Sequence, residues 1–247
     1  TDQPALVDSG STLQADTIYY YEDSQLGDAL GNASMVNTTD SLSVSGKHLL
    51  YFSGKDSLLS YGDAKFRKWS TEDTTLYIDS DSLSLEEGYF FAWQNVELRS
   101  GDALGTCGQA VYMQDDDVAI MRDDPILQED DFVLSGDIFN LHMDGGDLKS
   151  VYVPENPHFT QRKASTDTTF TDWLDGKIMA VEFNDGQPQT VTLIEMATSF
   201  FNVIEEGRYK GSNKVSGDTL FILLSDSSIS DITVTGGAEG EFTPARG

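Results

Sequence analysis

A chain of 247 residues and 27.1 kDa is long enough for one large all-β domain or two small ones. Its 42 acidic residues against 15 basic ones leave a formal charge of −27. That excludes nucleic acid as a partner, because neutralising a phosphate backbone needs Lys and Arg. The single Cys107 excludes an intrachain disulfide, and no apolar run approaches the length of a membrane-spanning helix.

Residues 1–12 are polar and read as a lead-in; no signal peptide is visible, and the abrupt start at Thr1 reads as that of a processed chain. From there a period-two pattern recurs, each time opened by a polar leader and followed by apolar residues on one face. Asp16 leads Ile18 and Tyr20, Lys47 leads Leu49 and Tyr51, and Asp81 leads Leu83 and Leu85. Gln109 then leads Val111 and Met113, and Asp137 leads Phe139, Leu141 and Met143. Lys177 leads Met179, Val181 and Phe183, and Asp218 leads Leu220, Ile222 and Leu224. Between 160 and 175 the Thr-rich stretch lacks alternation and reads as a loop or a short capped helix.

A second marker follows each leader: a polar or Gly residue, or once Met, ahead of Ala, Val or Pro. The copies are Asn32-Ala33, Asp63-Ala64, Asn95-Val96, Asp124-Pro125, Asn156-Pro157, Met196-Ala197 and Gly237-Ala238. Leaders recur every 28 to 41 residues, and each marker trails its leader by 14 to 19. Two markers keeping order and offset over seven copies are the signature of a repeat array. The expected organisation is a lead-in at 1–12, repeats one to five at 13–165, and repeats six and seven at 166–247, continuing the same array.

Two strands with one apolar face each cannot fold alone, so the repeats are expected to stack into an antiparallel all-β body with the leader-parity residues turned inward. An open-ended stack leaves unpaired strands at both ends, here around Ile18–Tyr20 and Ile232–Val234. Taken alone, an inward apolar row predicts a closed, side-chain-filled core, because close packing is the default.

The stretches ADTIYY…ALGNASM, GKHLLYF…YGDAKF, SDSLSL…AWQNVEL, SGDIFNL and SGDTLFILL…GGAEGEF together resemble the OstA/LptA family of periplasmic lipopolysaccharide-transport proteins, over about residues 13–242. The closing ISDITVTGGAEGEFTP is similar to the OstA-like proteins of the Bacteroidetes. The resemblance implies an open β-jelly-roll or β-taco groove, lined by the seventeen leader-parity residues from Ile18 to Leu224 named above and holding the acyl chains of lipid A. It implies neither enzyme activity nor a cofactor. It also implies a periplasmic location, with other transport components, and further copies end to end, pairing on the edge strands. Lipid A phosphates at the rim would need local positive charge, for which the cluster Lys65, Arg67 and Lys68 around Phe66 is the candidate. The contrasting expectation is a β-solenoid scaffold of the cell envelope, or a carbohydrate-binding protein, with a packed interior.

No catalytic pattern competes with this. His48, His142 and His158 fall in different repeats, and no nucleophile elbow, zinc-protease or phosphate-loop motif is present. The runs Asp115-Asp116-Asp117 and Glu129-Asp130-Asp131 lack the placement of a calcium loop and read as solvated turns, and Cys107 as a small buried residue.

Overall fold

A computed structural model describes residues 4–8, 10–55, 57–69, 74–129, 131–144, 147–166, 168–184, 186–225 and 228–245. The described residues are almost entirely β-strand, joined by tight turns and antiparallel wherever register is defined. The chain divides into two compact units, Thr1–Asp123 with Met143–Asp147, and Asp124–His142 with Leu148–Gly247.

The first unit holds β1 (Ala5–Asp8), β2 (Ser11–Gln14), β3 (Thr17–Tyr21), β4 (Leu26–Asn37), β5 (Leu42–Phe52), β6 (Ser57–Trp69), β7 (Thr74–Glu86), β8 (Tyr89–Ser100), β9 (Ala103–Met113) and β10 (Val118–Arg122). From β4 to β9 each strand pairs with the next as a meander, and every one of these pairings shifts register near its middle. The shifts fall between Leu30 and Ala33, Ser45 and His48, Tyr61 and Ala64, Asp79 and Ser82, and Trp93 and Val96. An extra residue at such a point bends a strand. Each long strand therefore contributes to two layers, which face one another: Phe66 of one layer lies 4.1 Å, centroid to centroid, from Phe90 of the other.

The second unit holds β11 (Ile126–Glu129), β12 (Phe132–Ser135), β13 (Ile138–Asp144) and β14 (Asp147–Val153) apart from their adjoining ends at Met143–Asp147, β15 (His158–Ala164), β16 (Thr169–Asp175), β17 (Ile178–Asn184), β18 (Gln187–Glu205), β19 (Arg208–Ser225), β20 (Ser228–Thr235) and β21 (Glu239–Pro244). Strands β18 and β19 run through both layers as one long hairpin, with a break in register between Ile194 and Ala197. The stretch read from sequence as loop or helix is instead the β15–β16 hairpin, with Lys163 opposite Phe170 and Gln161 opposite Asp172. Its alternation is masked because the inward position between Phe170 and Leu174 is an acid, Asp172, buried against Lys163.

The bends are where the two sequence markers meet. All seven second-marker residues, Asn32, Asp63, Asn95, Asp124, Asn156, Met196 and Gly237, have positive φ, between 46° and 58°. In six of them the preceding residue does too: Gly31, Gly62, Gln94, Asp123, Glu195 and Gly236. Asn and Asp tolerate this region through local side-chain hydrogen bonds, and Gly has no Cβ to clash. At Gly31 and at Gly236 a Cβ would run into the carboxylate of the leader, Asp16 or Asp218. The leader closes the corner. Asn32 Nδ2 donates to Asp16 at 2.8 Å, Asn95 to Asp81 at 2.9 Å, and Asn156 to Asp137 at 2.6 Å. In two copies the contact is ionic, Lys47–Asp63 at 2.6 Å and Lys177–Glu195 at 2.7 Å. The hydrogen bond from Lys47, and then its charge, hold the Asp63 carboxyl below its ordinary value.

Candidate functional site

The corners hinge the two layers along one side of each unit, and the side chains between the layers grade outward from that hinge. In the first unit the innermost residues are small, Ala33, Ala64 and Val96; the next, two positions on, are Met35, Phe66 and Leu98. Two positions further, at the open side, stand Asn37, Lys68 and Ser100. The second unit repeats the grading with Pro125 and Pro157, then Leu127 and Phe159, then Glu129 and Gln161. Small, then large apolar, then polar describes a wedge that widens from the hinge and ends in polar side chains.

In the first unit the mouth is a crevice of about 330 Å³ in which Met35 and Leu42 of one layer face Leu85 of the other, with Lys55, Glu87 and Asp115 at the rim. Behind it the interior is full. Phe66, Phe90 and Tyr112 pack as one aromatic cluster. A polar chain crosses the gap: Lys68 Nζ donates to Tyr112 Oη at 2.7 Å, and the Tyr112 hydroxyl donates to Asp117 Oδ1 at 2.6 Å. Burial, reinforced by the bond to Asp117, pushes the Tyr112 phenol above its ordinary value of 10.0. In the second unit the mouth is a cavity of about 480 Å³, bounded by Gln161, Arg162, Lys163, Asn202 and Phe201, with Ile229 of β20 opposite.

Most residues expected between the layers lie there and are buried: Leu49, Tyr51, Leu83, Leu85, Phe139, Leu141, Met143, Met179, Val181, Phe183, Leu220, Ile222 and Leu224. Four lie elsewhere. Ile18 is half-buried and Tyr20 is 48% exposed, because β3 pairs only with β4 among the described residues. In β9 the inward row shifts by one, to Ala110 and Tyr112, leaving Val111 and Met113 half-exposed on the outer face. The cause is that Gly108, not Gln109, occupies the leader position, its N–H donating to Asp123 O as Asp16 N–H does to Gly31 O.

The basic cluster divides by strand parity. Lys65 and Arg67 point outward, and Arg67 is engaged by Asp79 and by the face of Tyr77. Lys68 alone of the three stands at the mouth. Sequence reasoning missed the polar wall of the second mouth, since Gln161, Asp172 and Asn202 come from three strands. Glu129, read as part of a solvated turn, ends β11 with only 4% of its surface exposed; Asp130 lies outside the described residues. Cys107 is half-buried rather than buried, its thiol pushed up to about 11 by desolvation. His48 and His158 each pair with one aspartate, Asp28 at 2.8 Å and Asp175 at 2.6 Å. Among the described residues no group of three or more His, Cys, Asp and Glu side chains is placed to hold a metal, and no helix is long and apolar enough to cross a membrane.

No family model matches the chain, and no curated protein matches it with significance. Among solved structures, it is similar in part to the crystal structure of LptH, the LptA homologous periplasmic component of the conserved lipopolysaccharide transport device from Pseudomonas aeruginosa. That match has a TM-score of 0.44 at 16% identity and covers 57% of this chain and 95% of the other.

Proposed function

We propose that the protein is a non-enzymatic carrier of amphiphilic lipid in the periplasm, and that its cargo is lipopolysaccharide, held by the acyl chains of lipid A. The observation that carries this reading is the wedge: two layers joined along one side, apolar between, and polar at the opposite rim. An acyl chain entering there leaves water with a gain of about 0.8 kcal/mol per CH₂, so a few chains outweigh the repulsion between an anionic headgroup and an acidic protein. Because the interlayer row is buried, loading requires the layers to part at the mouth while the corners stay closed. The terminal strands support the same reading of partners. Among the described residues β3 pairs only with β4, and β20 and β21 pair only with β19, so each end offers backbone to another transport component or a further copy.

The contrasting reading, a scaffold with a permanently closed core, is favoured by one observation, the filled aromatic interior of the first unit. Native mass spectrometry of the protein purified from a lipopolysaccharide-producing host separates them. Lipid A in stoichiometric amount is expected. Lipid-free protein that also takes up no lipid A on incubation would establish the closed core instead.

A further inference from the structure

The mouth of the second unit is walled by polar groups that are themselves held in place. Asp172, buried at 3% exposure, accepts the Asn202 backbone N–H at 2.7 Å and its Nδ2 at 2.9 Å, both on Oδ1. Its other oxygen is met by Lys163 Nζ at 2.8 Å. Asn202 Nδ2 also donates to Thr171 O at 3.0 Å. Both amide hydrogens of Asn202 are thus used within the wall, and its side-chain carbonyl remains as an acceptor at the cavity. Lys163 has hydrogens beyond the one directed at Asp172, and Gln161 brings a buried amide to the same surface.

The charges decide what such a wall selects. Arg162 lies 3.7 Å from Asp131 and Lys163 2.8 Å from Asp172, so each cation at the cavity already faces a carboxylate. In a chain of charge −27, a phosphate gains little from a site already neutralised from within. A neutral group that both donates and accepts does better, because each hydroxyl can accept from Lys163, Arg162 or Gln161 and donate to Asn202 or Asp131. Phe201, Val203, Ile204 and Ile229 supply an apolar flank beside this wall. The volume of about 480 Å³ falls among small-molecule pockets.

We infer that this cavity is a headgroup site for a neutral, hydroxyl-rich group, the sugar ring of a glycolipid, whose alkyl portion lies against Phe201 and Ile229. The inference rests on reading the interlayer space as a site for amphiphiles, and it adds to that reading a place and a selectivity.

The test titrates the full chain, labelled with nitrogen-15, with octyl glucoside and separately with octyl phosphate, each below its micelle concentration. Octyl glucoside is expected to shift the side-chain amide resonances of Gln161 and Asn202, with a Kd at least about five-fold below that of octyl phosphate. Gln161→Met, of similar length, is expected to bring the two Kd values to within about two-fold, its folding checked by thermal melting. The wild-type titration decides alone if that variant does not fold. Octyl phosphate binding as tightly as the glucoside would overturn the selectivity. Glucoside binding that leaves both amides unmoved, or a folded Gln161→Met with undiminished preference, would overturn the place. If neither octyl compound binds while lipid A co-purifies with the protein, this inference fails and the carrier reading stands. If neither binds and no lipid co-purifies, both fail.

Discussion

The two mouths use the same kinds of side chain in opposite ways. In the first unit the buried polar chain Lys68–Tyr112–Asp117 runs from one layer to the other and fastens them. In the second, Lys163, Asp172 and Asn202 sit on β15, β16 and β18, neighbouring strands of one layer, and bond among themselves. A buried polar network that crosses a gap acts as a clasp. One that stays on a single wall leaves the gap in place and orders a surface. The first unit is therefore the better-closed half and the second the better-prepared binding wall.

The largest expected effect comes from emptying the first interior. Phe66 is fully buried between Phe90 and Tyr112, and Phe66→Ala should cost about 3–5 kcal/mol, through lost transfer energy and the cavity left behind. If closure of the first unit is local, hydrogen exchange should accelerate in β5 to β9 while β17 to β19 keep their protection. Equal loss in both units would break the comparison.

A smaller effect tests the clasp itself. Tyr112→Phe removes one donor and one acceptor and should cost about 1–3 kcal/mol below pH 10, because it leaves Lys68 and Asp117 without their shared partner. The folded-state phenol is raised above 10.0, so its contribution is fully present below pH 10 and is lost as pH rises beyond that. The gap in stability between wild type and Tyr112→Phe should then be constant at neutral pH and narrow above pH 10, in paired urea unfolding curves. A gap that does not change with pH would mean that the hydroxyl bonds contribute nothing specific.

This division was legible in part. In the sequence the markers read only as a repeat, and they fall at the corners, because positive φ is a local demand that Gly, Asn and Asp meet by their own chemistry, as they do at six of the seven sites. The fourth repeat misled because Gly108 has no side chain to advertise the leader, and the alternation then reads equally well one residue on. Lys65, Arg67 and Lys68 looked like one cluster, yet a strand sends neighbours to opposite faces, so Lys65 and Arg67 turn outward while Lys68 turns between the layers. The second wall left no trace in any single segment. Asp172 in isolation is an acid interrupting an apolar row, and only the pairing of β15, β16 and β18 makes it part of a surface.

The smallest effect concerns the hinges, and it sharpens the same contrast. Two bends of the first unit are made by Gly followed by Asn or Asp, at 31–32 and 62–63. The β18 bend of the second unit is made by Glu195 and Met196, with φ of 59° and 54°. Left-handed backbone costs an ordinary L-residue about 1–2 kcal/mol, and Met has no short polar group to offset it. Nor does packing compensate, since Met196 is 75% exposed. Glycine relieves the strain but adds freedom to the unfolded chain, worth about 0.5–1 kcal/mol in the other direction. Met196→Gly should therefore raise stability by roughly 0.5–1 kcal/mol, and Glu195→Gly by less, because Glu195 gives up its ion pair with Lys177. Denaturant midpoints of the two variants, measured at equal slope, check the order. If Met196→Gly lowered the midpoint instead, the exposed methionine would be making a contact of its own, and the β18 bend would have to be counted a surface feature and not only a hinge.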